Sequence, residues 1–171
     1  FSAVGWTPRG NVVTLATPEG QSSSCLSKIL GASEAPFTLT CSVAEYKSAI
    51  IASYRGATRV VDSKESSSAA SNSSPINVST PIITADAVGQ KMVMFVVFDV
   101  LNGAAQAVSV SGLPDGFQVR RTVGWDGTNY QIMVLIDGDL PASGAMPSFN
   151  FSASTDSTAT GWSCHAHILG N

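Results

Sequence analysis

The sequence predicts an all-β fold, an antiparallel sandwich of short strands with one or two short helices, and three observations carry that expectation. Short runs rich in Val, Ile, Thr and Phe recur along the chain, bounded by turn residues such as Pro, Gly, Asp and Asn. One run, Lys91 to Leu101, is almost continuously apolar, as a strand covered on both faces must be. Helical spacing of apolar residues is confined to Ser22 to Leu30, where Cys25, Leu26, Ile29 and Leu30 share a helical face, and to Val43 to Ser48. Neither segment is long enough to form a helical layer of its own.

Taken in order, Asn11 to Thr17 is a β-branched run ending at Pro18-Glu19-Gly20, and Phe37 to Cys41 alternates after Pro36. Ala49 to Val61 reads as a long extended segment. Asp62 to Pro75 is polar and Ser-rich, which predicts an exposed loop whose surface includes Ser66, Ser67, Ser68 and Asn72. Strands are then expected at Ile76 to Thr84, Lys91 to Leu101, Ala107 to Ser111, Phe117 to Val123, Asn129 to Asp137, Ser148 to Ser152 and Trp162 to Leu169. Pro114-Asp115-Gly116 and Asp126-Gly127 supply turns between them. The flanks of the Ser-rich segment are too short to bury separate cores, so residues 1–171 are expected to form one domain. No period of 20 to 50 residues suggests a propeller or a solenoid.

Charged residues make up 12% of the 171, where a quarter is usual. Much of the surface is therefore neutral, and neutral polar groups are cheaper to remove from water than unpaired charges. That suits a subunit surrounded by neighbours, and it suits a Ser/Thr-rich secreted β-protein equally well. A formal net charge of −3 and scattered basic residues argue against a dedicated nucleic-acid surface. Arg120 and Arg121 are adjacent, but neighbours in a strand point to opposite faces.

Cys25, Cys41 and Cys164 show neither a CxxC nor a zinc-ligand spacing, and three thiols cannot all pair within one chain, so a reducing environment is expected. Sequons at Asn72, Asn77 and Asn150 fit a secreted protein instead. No apolar run reaches the roughly 18 residues of a membrane span. The sequence opens at Phe1 with neither a Met nor a signal-peptide pattern, and the expectation is a product released from a longer precursor.

No catalytic residues are assigned, and no cofactor is expected. G-x-S-x-G and the glycine-rich phosphate loop are both absent. Cys164-His165-Ala166-His167 is the one reactive-looking cluster; in a strand His165 and His167 share a face, a weak candidate metal pair that needs a third ligand. Asp115, Asp126, Asp137 and Asp139 all read as turn residues, where Asp is expected for backbone geometry alone. Asp115 and Asp139 are accordingly placed on surface loops.

Glu45 to Val60, which contains Tyr54-Arg55-Gly56-Ala57-Thr58-Arg59, resembles the short helix running into a [YW]RG-x-x-R strand of capsid proteins from picorna-like viruses. Gly20 to Leu30, Met146-Pro147-Ser148-Phe149 and Gly161 to Gly170 are similar to further segments of those subunits, in the same order. The sequence departs from their usual pattern at Gln21 and Lys28, where Glu and Arg are common, and in its short arm before Asn11. The resemblance implies an eight-stranded jelly roll of two four-stranded sheets that tiles with homologous subunits into an icosahedral virion shell around an RNA genome. It implies assembly in the host cytoplasm, little base-specific contact with the RNA, and loops open to a host receptor. Tyr54, Arg55, Gly56 and Arg59 are then the candidate assembly contacts, with planar guanidinium groups suited to interface carbonyls and carboxylates. The alternative is a secreted carbohydrate- or ligand-binding sandwich.

Overall fold

The structure is a computed structural model and describes residues 2–15, 22–30, 38, 40, 49–69, 74–100, 108–124, 131–155 and 159–171. Among them it is all-β, with twelve strands in antiparallel sheets and no helix. The strands are β1 (Thr7–Thr14), β2 (Ser22–Ser27), β3 (Arg59–Ser68), β4 (Ile76–Ser79), β5 (Ile83–Ala85) and β6 (Lys91–Val100). They continue with β7 (Val108–Ser111), β8 (Phe117–Val123), β9 (Gln131–Asp139), β10 (Gly144–Met146), β11 (Asn150–Thr155) and β12 (Ala159–Gly170).

The large sheet has the order β3-β12-β6-β9-β8, and a second has the order β4-β11-β7; β1-β2 and β5-β10 are two-stranded. The pairing is nested. β3 pairs with β12, β4 with β11, β5 with β10 and β6 with β9, so the two halves of the chain lie antiparallel, with β7 and β8 flanking the turn at Pro114 to Gly116. Two further pairings, β12 with β6 and β11 with β7, join strands that lie apart along that ribbon. The ribbon is thereby wrapped into two layers.

β6 explains itself from its sequence. Met92, Met94, Val96 and Phe98 lie in the core cluster with Ile132, Val134 and Ile136 of β9 and Trp162, Cys164, Ala166 and Ile168 of β12. Ile76, Val78, Phe151 and Ala153 of the second sheet and Ile83 of β5 join the same cluster. The alternate residues Val93 and Val97 are buried on the other face of the large sheet, which is why the run shows no polar alternation.

Phe117 lies directly across from Gly138 of β9, and a Cβ at Gly138 would sit 2.5 Å from Phe117 Cγ. The ring is held there against Phe149, edge to face at 5.4 Å between centroids. Gly138→Ala therefore forces the ring aside and is expected to cost about 1–3 kcal/mol, read as a lower urea midpoint at unchanged slope. An unchanged midpoint would mean that the ring moves freely.

Several sequence expectations are corrected. Ser22 to Leu30 is not a helix, because Ser22–Ser27 pairs with Thr7–Thr14. A nine-residue stretch with mixed periodicity is decided by such pairing, not by its own propensity. Residues 62–68 are not a loop but the body of β3, paired along β12 from Ile168 back to Trp162. An edge strand tolerates Ser, Lys and Glu because its backbone bonds carry it and charges there discourage further pairing. The extended segment expected from Ala49 reaches strand structure only at Arg59. The described residues form twelve strands where the resemblance implies eight, since Ile76 to Thr84 divides into β4 and β5 and since β1, β2 and β10 are additional, and the larger sheets hold five and three strands where it implies four each. The expectations for Phe37 to Cys41, apart from residues 38 and 40, and for Val43 to Ser48 lie outside the described residues. No described helix is long and apolar enough to cross a membrane.

Candidate functional site

Alternation along β12 sends Cys164 and Ala166 into the core and turns Ser163, His165 and His167 to the opposite face of the large sheet. Across the ladder His165 lies between Glu65 of β3 and Phe95 of β6, and His167 between Ser63 and Val93. All three β12 side chains are buried on this face: Ser163 is 1% exposed, His165 2% and His167 5%.

The hairpin β1-β2 lies over them. Ser23 Oγ is hydrogen-bonded to both Ser163 Oγ, at 2.7 Å, and His165 Nε2, at 2.9 Å. Asn11 Nδ2 donates to Glu65 Oε1, and Arg9 Nε donates to Ser27 Oγ at 2.6 Å within the hairpin. Within the sheet, Ser63 Oγ meets His167 Nδ1 at 2.9 Å, and the Phe95 ring lies 6.0 Å from that imidazole. His165 Nδ1 and His167 Nε2 are buried with no hydrogen-bond partner among the described residues.

Burial lowers the His165 pKa, with the Glu65 carboxylate partly opposing the shift. Burial, the neighbouring His165 and the Arg9 charge together lower His167 to about 4. Both imidazoles are therefore neutral at pH 7. The Cys25 thiol, on the inner side of the hairpin, is pushed up to about 12 chiefly by burial and is not activated as a nucleophile.

Ser23 and His165 stand at the distance of a nucleophile and its base. The remaining requirements are unmet among the described residues: no acceptor orients His165 Nδ1, and the imidazole is enclosed. Among the described residues no group of three or more His, Cys, Asp and Glu gathers there into a metal-ligand set either. What the arrangement does is fasten the hairpin to the sheet through neutral hydrogen bonds. Cys164 is turned to the core, away from His165, and Cys41 lies outside the described residues.

A second polar cluster lies farther along this face. Asp137, 2% exposed, accepts from Tyr54 Oη at 2.9 Å and from Arg120 Nε at 2.8 Å. Asp137 is thus a buried strand residue and not the turn residue that its Asp-Gly-Asp context suggests. The Tyr54 pKa is raised, first by burial and then by the Asp137 carboxylate. Tyr54 docks the segment before β3 onto β9, and Tyr54→Phe is expected to cost about 1.5–3 kcal/mol, because a buried carboxylate loses a donor. Chemical denaturation measures it; a loss below about 0.5 kcal/mol would mean that water replaces the hydroxyl.

The remaining members of the Tyr54 motif are spread along the surface. Arg55 is exposed in a turn, and Gly56 follows it with φ at 86°, a value that a residue with a Cβ rarely adopts. Arg59 Nη2 pairs with Asp86 Oδ2 at 2.8 Å, with both side chains largely in solvent. Such a pair contributes little to stability and leaves the guanidinium accessible. Asp115 lies in an exposed turn, as expected. Asp139 is exposed as well, but as the last residue of β9, bonded by Lys91 Nζ at 2.6 Å. Ser66, Ser67 and Ser68 lie in β3, and Asn72 is outside the described residues.

The sequence pattern identified the histidine pair through its alternation but gave no sign of Ser23, Ser63, Tyr54 and Asp137 as its companions and neighbours. Their contacts join positions far apart in the chain. No family model, curated protein or solved structure matches this chain.

Proposed function

We propose that this chain is a jelly-roll structural subunit that assembles with homologous subunits into an icosahedral shell around an RNA genome. The observation that carries the reading is the nested strand pairing. A ribbon in which β3-β12, β4-β11, β5-β10 and β6-β9 pair in succession, wrapped into two layers, is the topology expected of two interlocked Greek keys. The short strands β5 and β10 and the hairpin β1-β2 are additions to that eight-stranded frame, and β8 at the edge of the large sheet is its remaining strand.

Composition supports the step from fold to assembly. Asn77 and Ser79 of β4, Asn150 and Ser152 of β11 and Ser109 and Ser111 of β7 lie away from the core, so the described outer side of the second sheet is polar and uncharged. Such a face is inexpensive to cover with a neighbour. Arg55, exposed beside Gly56, offers a charged fork for a partner carboxylate or carbonyl. Arg55→Glu is expected to cut the yield of sedimenting shells by about tenfold or more, since reversal leaves a like charge at the contact. Unchanged assembly would return Arg55 to a solvated turn, and the absence of shells from the unsubstituted protein would overturn the reading.

One observation favours the secreted alternative. The sequons at Asn77 and Asn150 lie side by side across the β4-β11 ladder, both exposed, and Ser152 Oγ donates to Asn77 Oδ1 at 2.9 Å. Intact mass of the natural protein separates the two readings: glycan mass supports secretion, and the bare chain supports assembly in the cytoplasm.

A further inference from the structure

We propose that the hairpin β1-β2 is an acid-released flap: protonation of His165 and His167 detaches it from the β3-β12 face while the sandwich core remains folded. The inference rests on the fold and does not depend on the shell reading.

The two histidines serve no purpose in the core, because they point away from it. They lie beneath a two-stranded element that belongs to neither large layer. The hairpin holds to the sheet through Ser23 on Ser163 and His165, and through Asn11 on Glu65. Its strand β1 crosses closely over that carboxylate, for a Cβ at Gly10 would come within 2.5 Å of Glu65 Oε2.

The charges around the pair decide what protonation does. β1 contributes Arg9, β2 the neutral thiol of Cys25, and β3 the carboxylate of Glu65. β6 contributes Val93 and Phe95 and, two residues beyond Val93 on the same face, Lys91, which is paired with Asp139; Asp137 of β9 is already engaged with Tyr54 and Arg120. Two imidazolium ions would join Arg9 against the single carboxylate of Glu65, itself hydrogen-bonded to Asn11. The repulsion falls between the sheet, which carries the histidines, and the hairpin, which carries Arg9. Separation relieves it and lets water reach the two ring nitrogens that have no partner among the described residues.

Protons therefore bind the open form more tightly than the closed one. With His167 held near 4 when closed and near 6.5 when open, the open-to-closed ratio rises on the order of 100-fold between pH 7 and pH 4 from this group alone. His165 acts in the same direction.

The cysteines report the motion. Cys25 is half-buried on the side of β2 that carries Ser23, and Cys164 is in the core, 0% exposed, so their reactivities distinguish release of the flap from unfolding. The intact chain is labelled with dithiodipyridine, which reacts with thiols in acid, at pH 7, 5 and 4, and each site is read by peptide mass mapping. The expected result is a rise in Cys25 labelling on the order of 100-fold by pH 4 with Cys164 still protected. His165→Gln with His167→Gln should abolish the rise. If that double variant does not fold, Arg9→Gln serves instead: with less repulsion in the closed form, the rise should be smaller. Cys25 labelling that is flat from pH 7 to pH 4, simultaneous labelling of Cys25 and Cys164, or an undiminished rise in either variant would overturn the proposal.

Discussion

Phe98→Ala is expected to lower the unfolding free energy by about 3–5 kcal/mol, the largest effect of any single truncation considered. Phe98 is 0% exposed and stands between Trp162 of β12 and Ile132 of β9 in the ladder. These strands are held by hydrogen bonds on both sides, so the cavity cannot close by local collapse, and its cost adds to the lost transfer energy. A domain of this size is stable by only about 5–15 kcal/mol, so the melting temperature should fall by roughly 10 °C. Phe95→Ala, three positions back along β6 and on the opposite, less enclosed face, should cost clearly less. Urea denaturation of the two variants checks the assignment of faces. Equal losses would mean that β6 is not oriented as described.

Acid is expected to weaken the protein by up to about 3 kcal/mol between pH 6.5 and pH 4 through His167, with His165 adding in the same direction. A histidine whose pKa is lowered by folding binds its proton more readily in the unfolded chain. The stability it contributes is therefore complete above pH 6.5 and is lost as the pH falls toward 4. The fall has a floor, because once the hairpin opens the histidines titrate as they do in the unfolded chain. Denaturant unfolding at several pH values, followed by a core probe, should show stability falling and then levelling. A stability that rises on acidification through this range would contradict the burial of both imidazoles.

Much of the fold was legible, and the misreadings have physical causes. Phe117 to Val123 needed only its own apolar alternation and a Pro-Asp-Gly turn, and Lys91 to Val100 only its continuous hydrophobicity. Asp62 to Ser68 was not legible, because its residues resemble a solvated loop when taken alone. Its strand identity comes from β12, whose backbone groups require a partner. Once the strand is in place its polar side chains find uses: Ser63 meets His167, Asp62 accepts from the Thr84 amide, and Ser66 donates to the Ser79 carbonyl. Ser22 to Ser27 shows the same dependence, since it is a strand only beside β1.

The candidate site was legible to half its depth. Spacing placed His165 and His167 on one face, but burial, neutrality and the covering hairpin depend on contacts between Ser23 and residues more than a hundred positions away. Asp137 was misread for the opposite reason. Its local Asp-Gly-Asp context is a turn signature, and two partners from distant segments, Tyr54 and Arg120, make a buried strand position tolerable for a carboxylate.

Electron microscopy of the natural material, fractionated by size, decides whether this β-ribbon serves as a shell subunit. The expected result is that this chain co-purifies with icosahedral particles and occupies the shell wall in them, beside homologous sandwiches. A chain found only as an isolated monomer, never in particles, would contradict it.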